Sequence, residues 1–360
     1  MKQKIGSISI AVLCSCSILS KYLVILPEYM VKYVGNSAWL DVLAKCLIAS
    51  FSLSSVLWLY KPFAPSSITE TFSVAFGKTG KLVISYFYII TFTLFNALLL
   101  RLLSEALSTV MATTAPDEFF ILFILISVFA VACYGTRSVC NLCGIIFPFV
   151  AITILTVSLA LFPHYRIDNL MPVFGESGQK LLHGIFIRHF GFAETILLFF
   201  FVPLLGSYKE LKKCSFITYL IITVISVGFT LAYCLTVPYP ASKKFFLPFY
   251  QMTRMIKSGA FLQRLEPIVV FVWAAFVMCS MSVLISITAK LTANIEKKHD
   301  EKPFVPIITF ITFFTAMLPS GEDAAFLFYE KLLSISSILF PAVPVLVLIV
   351  ARIRKRRFLK

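Results

Sequence analysis

The sequence predicts an all-α integral membrane protein of about ten transmembrane helices, and three observations carry that expectation. Of 360 residues 59% are hydrophobic and 14% charged, with a mean hydropathy of +0.93, more apolar surface than one soluble core of this length buries. Several apolar runs reach the roughly 20 residues that cross about 30 Å of hydrocarbon. Segments such as 215–237 and 268–289 are apolar on every side, which excludes the short alternating strands of an outer-membrane barrel.

Span by span, the first run, 7–26, follows Lys2 and Lys4 without a small-residue cleavage site, so it reads as a retained helix rather than a signal peptide. Ser15, Ser17, Ser20 and Lys21 interrupt it. A lysine at that depth costs at least a few kcal/mol, so it faces a cavity or a carboxylate unless the helix is shifted and the ammonium reaches the headgroups. After the span 39–60, the span 81–110 carries Asn96, Arg101 and Glu105. The last two lie four apart on one helical face, either as a structural ion pair or as a proton or ligand site. Spans 118–135 and 143–163 complete the first half. The sixth, 184–206, holds Arg188, His189, Gly191 and Glu194. A break near Phe190 to Ala193 would offer bare backbone groups to a polar ligand; a structural role is the alternative. Span 215–237 follows. Span 264–290 brings Cys279, Ser280, Ser282, Ser286 and Thr288, polar groups that line a cavity or tie helices together. Spans 304–319 and 332–351 close the series.

The net charge of +15 gathers beside the spans, where Lys and Arg set orientation and meet anionic lipid, so membrane lipid is an expected partner and nucleic acid is not. An even number of spans puts both termini on one side, and the tail 352–360 with Arg352, Arg354, Lys355, Arg356, Arg357 and Lys360 marks it as cytoplasmic. Lys243, Lys244, Arg254, Lys257 and Arg264 form an exceptional basic segment on the outer side, read as an interaction surface, a short amphipathic helix or a loop long enough to escape the charge rule. The nine cysteines sit mainly in apolar runs and read as small hydrophobes. Cys140 and Cys143 have metal or redox spacing but lack a second pair. With no nucleophile beside a base, no phosphate loop and no metal cluster in the sequence, neither an enzyme nor a cofactor is expected. The chain is expected to be one transmembrane domain with repeats over about 7–163 and 184–351. A half with an odd number of spans forces the second half to enter the membrane inverted, and ligands of such folds sit near the midplane where the first and sixth helices are broken.

Three stretches carry a family resemblance: Asn169-Leu-Met-Pro-Val-Phe-Gly-Glu-Ser-Gly178; Phe261-Leu-Gln-Arg-Leu-Glu266 followed by Trp273; and Leu23 to Pro27 leading to Ala38-Trp39-Leu40. In order and spacing they resemble the B subunit of the bacterial spore germinant receptor, in the endospore germination permease family of the amino acid–polyamine–organocation superfamily. The resemblance implies a leucine-transporter-like five-plus-five fold in the spore inner membrane. It also implies binding of a small nutrient, often an amino acid, and action with A and C partner subunits. A secondary transporter of amino acids or polyamines is the runner-up. Arg101 and Glu105 match the family's polar pair and Glu194 its sixth-helix acid. Where relatives have a Gly-x-Gly break, this chain has Ser20-Lys21-Tyr22. The expected ligand site is Ser20, Lys21, Phe190, Gly191, Phe192, Glu194, Cys279 and Ser280.

Overall fold

Among the described residues the expected apolar runs form helices, except that the sixth is interrupted. The computed structural model describes residues 4–111, 116–187, 192–244, 247–256, 266–319 and 321–358, and no strand occurs among them. The helices are α1 (Ser7–Val34), α2 (Ala38–Tyr60), α3 (Ile68–Met111), α4 (Asp117–Cys133), α5 (Thr136–Ala160), α6 (Gly178–Ile187), α7 (Leu197–Phe200), α8 (Val202–Leu205), α9 (Tyr208–Thr236), α10 (Pro248–Arg254), α11 (Glu266–Ile295), α12 (Val305–Ala316) and α13 (Glu322–Phe358). Among the described residues, six spans are individually long and apolar enough to cross a membrane. Three shorter apolar helices and the broken segment from α6 to α8 stand where the remaining spans are expected.

The molecule is apolar outside as well as inside. Phe51 and Phe271 are each 77% exposed and Trp58, Phe186 and Phe310 also stand on the surface, a distribution that water would penalise and hydrocarbon accepts. Inside, α1 packs against α5, α9 and α11, while α3 packs against α11 and α13. All nine cysteines are free thiols. Gly77, at φ 72° and ψ −165°, kinks α3 near its start; the helix after the kink corresponds to the expected span 81–110, and a short arm precedes it.

One correction concerns the first span. The break expected there does not occur: α1 is continuous from Ser7 to Val34, through Ser20, Lys21 and Tyr22. Without the glycine pair, nothing in this stretch favours leaving the helical ladder. The basic segment expected on the outer side contains a short helix, α10, with Pro248, Phe249, Met252 and Thr253 buried. Lys257 and Arg264 lie outside the described residues, as do the side chains of Lys243 and Lys244.

The loop holding Asn169 to Gly178 acts as a strap. Asn169 donates its side-chain amide to the Leu235 carbonyl (2.8 Å), the Asn36 amide donates to the Met171 carbonyl, and the Tyr239 hydroxyl donates to Glu176. These bonds tie the loop to the end of α9, the α1–α2 turn and the segment before α10. Gly175 presses on that turn with φ +66°; a Cβ there would lie 2.5 Å from the Val34 carbonyl oxygen. A second clamp joins α13 to α2. Arg352 donates to the Leu59 carbonyl (3.0 Å) with its guanidinium 4.3 Å from the Trp58 ring centroid, and Lys355 donates to the Pro62 carbonyl (2.7 Å). Cations thus meet the unsatisfied carbonyls that end α2.

Candidate functional site

The middle of α1 is the hub of the site, because residues over two helical turns bond to different neighbours. The Tyr22 hydroxyl donates to the Ser226 carbonyl of α9 (3.1 Å) and pairs with Thr230. Ser280 of α11 and Ser20 each donate to the Ser17 carbonyl at 3.3 Å. Cys16 points its thiol at the Cys143 carbonyl of α5 (4.0 Å). Lys21 takes the remaining direction, toward the broken sixth helix, and forms an ion pair with Glu194. Both are nearly sealed from solvent, at 1% and 3% exposure.

The sixth helix is where the regular ladder fails. After α6, the residues Phe192–Ile196 form a 3₁₀ turn that leads into the short α7 and α8. This places Glu194 on an irregular turn opposite unbroken α1. Arg188, His189, Phe190 and Gly191 lie outside the described residues, as does the side chain of Phe192.

Around the pair, Phe95 of α3 holds its ring centroid 4.9 Å from the Lys21 ammonium, within cation–π range. Tyr329 of α13 meets Phe95 edge-on, centroids 6.1 Å apart. Glu194 Oε1, the Tyr329 hydroxyl, Ser15 Oγ, Ser17 Oγ and both amide atoms of Asn96 are buried without a hydrogen-bond partner among the described residues. Buried polar atoms normally find partners, and at this site several have none among the described residues. Chemically it offers a cation, an anion with a spare oxygen, hydroxyls and an aromatic wall.

Several sequence expectations separate here. Ser20, Lys21, Glu194 and Ser280 come together; the hydroxyls of Ser20 and Ser280 are satisfied at the Ser17 carbonyl. Cys279, one residue before Ser280, lines a cavity between α11, α3, α4 and α5. Arg101 and Glu105 form an ion pair within α3.

A second buried pair went unforeseen. Asp41 and Lys45 of α2 are each 1% exposed and bond at 2.5 Å. Asp41 Oδ1 lies where a Cβ on Gly184 of α6 would meet it at 3.3 Å, beside Val34 of α1. The pair therefore stands at the junction of α2 with α1 and the sixth helix. An acid four residues before a lysine was the available signal.

Comparison with known proteins places this geometry. Residues 4–325 match the family model described as Spore germination protein. The chain is 21% identical to spore germination protein YndE of Bacillus subtilis (strain 168) over 327 residues, 88% of each chain. It is 21% identical to spore germination protein XB of Bacillus anthracis (85% of each chain) and 22% identical to spore germination protein GerQB of Bacillus cereus (79% of each). Among solved structures it resembles Mhp1, a nucleobase-cation-symport-1 family transporter in a closed conformation with bromovinylhydantoin bound. The TM-score is 0.67 at 13% identity, over 96% of this chain and 78% of that one. At that identity the likeness establishes the fold, which is leucine-transporter-like.

Proposed function

Because the chain belongs to the family of spore germination proteins, we propose that it is the nutrient-sensing subunit of a spore germinant receptor. In this reading it lies in the spore inner membrane with both termini cytoplasmic, binds an amino acid beside Lys21 and Glu194, and triggers germination through A and C partner subunits. The observation that carries the reading is the buried Lys21–Glu194 pair on the broken helix.

An amino acid is a zwitterion, so its carboxylate matches Lys21 and its ammonium matches Glu194. It can enter between them without leaving either charge uncompensated, whereas a singly charged ligand strands one of them in the interior. Such a ligand replaces the bond that holds α1 to the sixth helix. A ligand shifts a conformational equilibrium only by its difference in affinity between two states. The exchange of a direct ion pair for a bridged one supplies that difference, and partner subunits read it at the surface of the bundle.

The test is germination of spores carrying Glu194→Gln, with assembly of the receptor followed by co-purification. The expected result is a weakened nutrient response in an assembled complex. A normal nutrient response from spores that lack the A partner would overturn the receptor reading. The runner-up, a secondary transporter of amino acids or polyamines, draws on the transporter-like fold. Accumulation of a labelled amino acid by vesicles containing this protein alone would favour it.

A further inference from the structure

A cavity of about 1010 Å³ runs along α11 and is walled by α3, α4, α5 and α10. Its α11 wall includes a stripe at every fourth residue, Glu266, Val270, Ala274, Met278 and Ser282, beside a second row that contains Phe271. The sixteen steps from Glu266 to Ser282 rise about 24 Å. Half the thickness of a bilayer's hydrocarbon is about 15 Å, so the groove is long enough for a whole acyl chain. It is also open sideways: Phe123 and Phe271, on its two lips, are 58% and 77% exposed. Its apolar length therefore faces the membrane rather than water.

The mouth is polar and of both signs. Arg254, at the end of α10, and Glu266, at the start of α11, line the same cavity yet form no ion pair with each other among the described residues. The Arg254 guanidinium lies 5.9 Å from the Tyr250 ring centroid, which also lines the mouth. Two opposite charges that face one space without pairing suit a guest that carries both. A guanidinium takes a phosphate through paired N–H donors, and a carboxylate takes an ammonium.

We propose that this groove is a phospholipid site, with an acyl chain along α11 and an ammonium–phosphate headgroup between Glu266 and Arg254. A headgroup bearing phosphate alone satisfies Arg254 but places its charge beside the Glu266 carboxylate. A quaternary ammonium lacks the N–H donors that Glu266 can accept from. The order of preference is therefore phosphatidylethanolamine over phosphatidylcholine over phosphatidylglycerol. This inference stands apart from the nutrient site and does not depend on it.

The test is native mass spectrometry of the full chain, purified in detergent, delipidated, and offered the three lipids with identical chains. Phosphatidylethanolamine should be retained over phosphatidylglycerol by roughly tenfold, the scale of one charged hydrogen bond. Glu266→Gln should bring these two lipids level, Arg254→Gln should weaken both, and Ala274→Trp should weaken all three irrespective of headgroup. Equal retention of the three lipids by the wild type, or a preference untouched by Glu266→Gln, would overturn the proposal. So would displacement of the lipid by free amino acids with loss of that effect in Ala274→Trp, which would make the groove a nutrient pocket.

Discussion

Lys21 and Glu194, 173 positions apart in the chain, form one ion pair between an unbroken first helix and a broken sixth helix. Each residue explains the other. An isolated lysine or carboxylate in this setting would be strongly disfavoured, and the pair removes most of that penalty only while both members face one another. The same bond fixes the distance between α1 and the irregular turn.

Removing one member should therefore be worse than removing both. Lys21→Met and Glu194→Gln singly should each destabilise the protein by about 3–5 kcal/mol, whereas the double variant should recover most of the loss. Thermal unfolding in detergent checks this. A double variant no more stable than the singles would show that the two side chains do not compensate each other.

Gly175 should resist substitution where Gly178 does not. At Gly175 a Cβ would lie 2.5 Å from the Val34 carbonyl oxygen with φ at +66°, whereas at Gly178 nothing lies within 4 Å. Gly175→Ala should cost about 1–3 kcal/mol through strain and steric contact, and Gly178→Ala, at the start of α6, should be neutral or slightly stabilising. A melting-temperature comparison of the two variants separates the effects.

Much of this was legible because apolar runs expose their exceptions. Lys21 and Glu194 stand out in membrane segments, and hydrocarbon forces such charges toward partners, so their importance could be read before their contact was known. The helical fold followed from segment length and uniform apolarity. The continuous α1 was harder, because the inverted-repeat pattern favours a break while the local residues Ser20-Lys21-Tyr22 do not. Asp41 and Lys45 escaped notice because they lie near the start of an apolar run, where a charge passes for one that reaches the headgroups. The groove along α11 could not be read at all, since its walls come from several helices whose relative placement no local pattern encodes.

The Asp41–Lys45 pair should matter for stability although it lies outside the expected ligand site. Lys45→Met would leave Asp41 buried against Gly184 and Val34, with a cost of about 3–5 kcal/mol. Its effect should appear in the unfolding temperature and in detergent-solubilised yield. If the pair also steadies the approach of α2 to the sixth helix, an Asp41→Asn variant that folds should lower nutrient affinity while receptor assembly is retained. Unchanged affinity in that variant would confine the pair to a structural role.

The last prediction concerns orientation. The basic tail of α13 reaches the end of α2, where Arg352 and Lys355 meet the Leu59 and Pro62 carbonyls, so both helix ends lie at one level of the membrane. Lys and Arg concentrate on cytoplasmic flanks, so in the proposed orientation the basic tail and this level lie inside. Counting spans from there, reporter fusions after Thr114 and after Gly321 should report the outer side, and one after Lys298 the cytoplasm. Arg352→Ala should leave that topology intact, since the remaining tail charges still set it. The variant should nevertheless lose about 1 kcal/mol of stability, because a cation at the α2 carbonyls and a cation–π contact with Trp58 disappear together. An external reporter after Lys298 would reverse the proposed orientation.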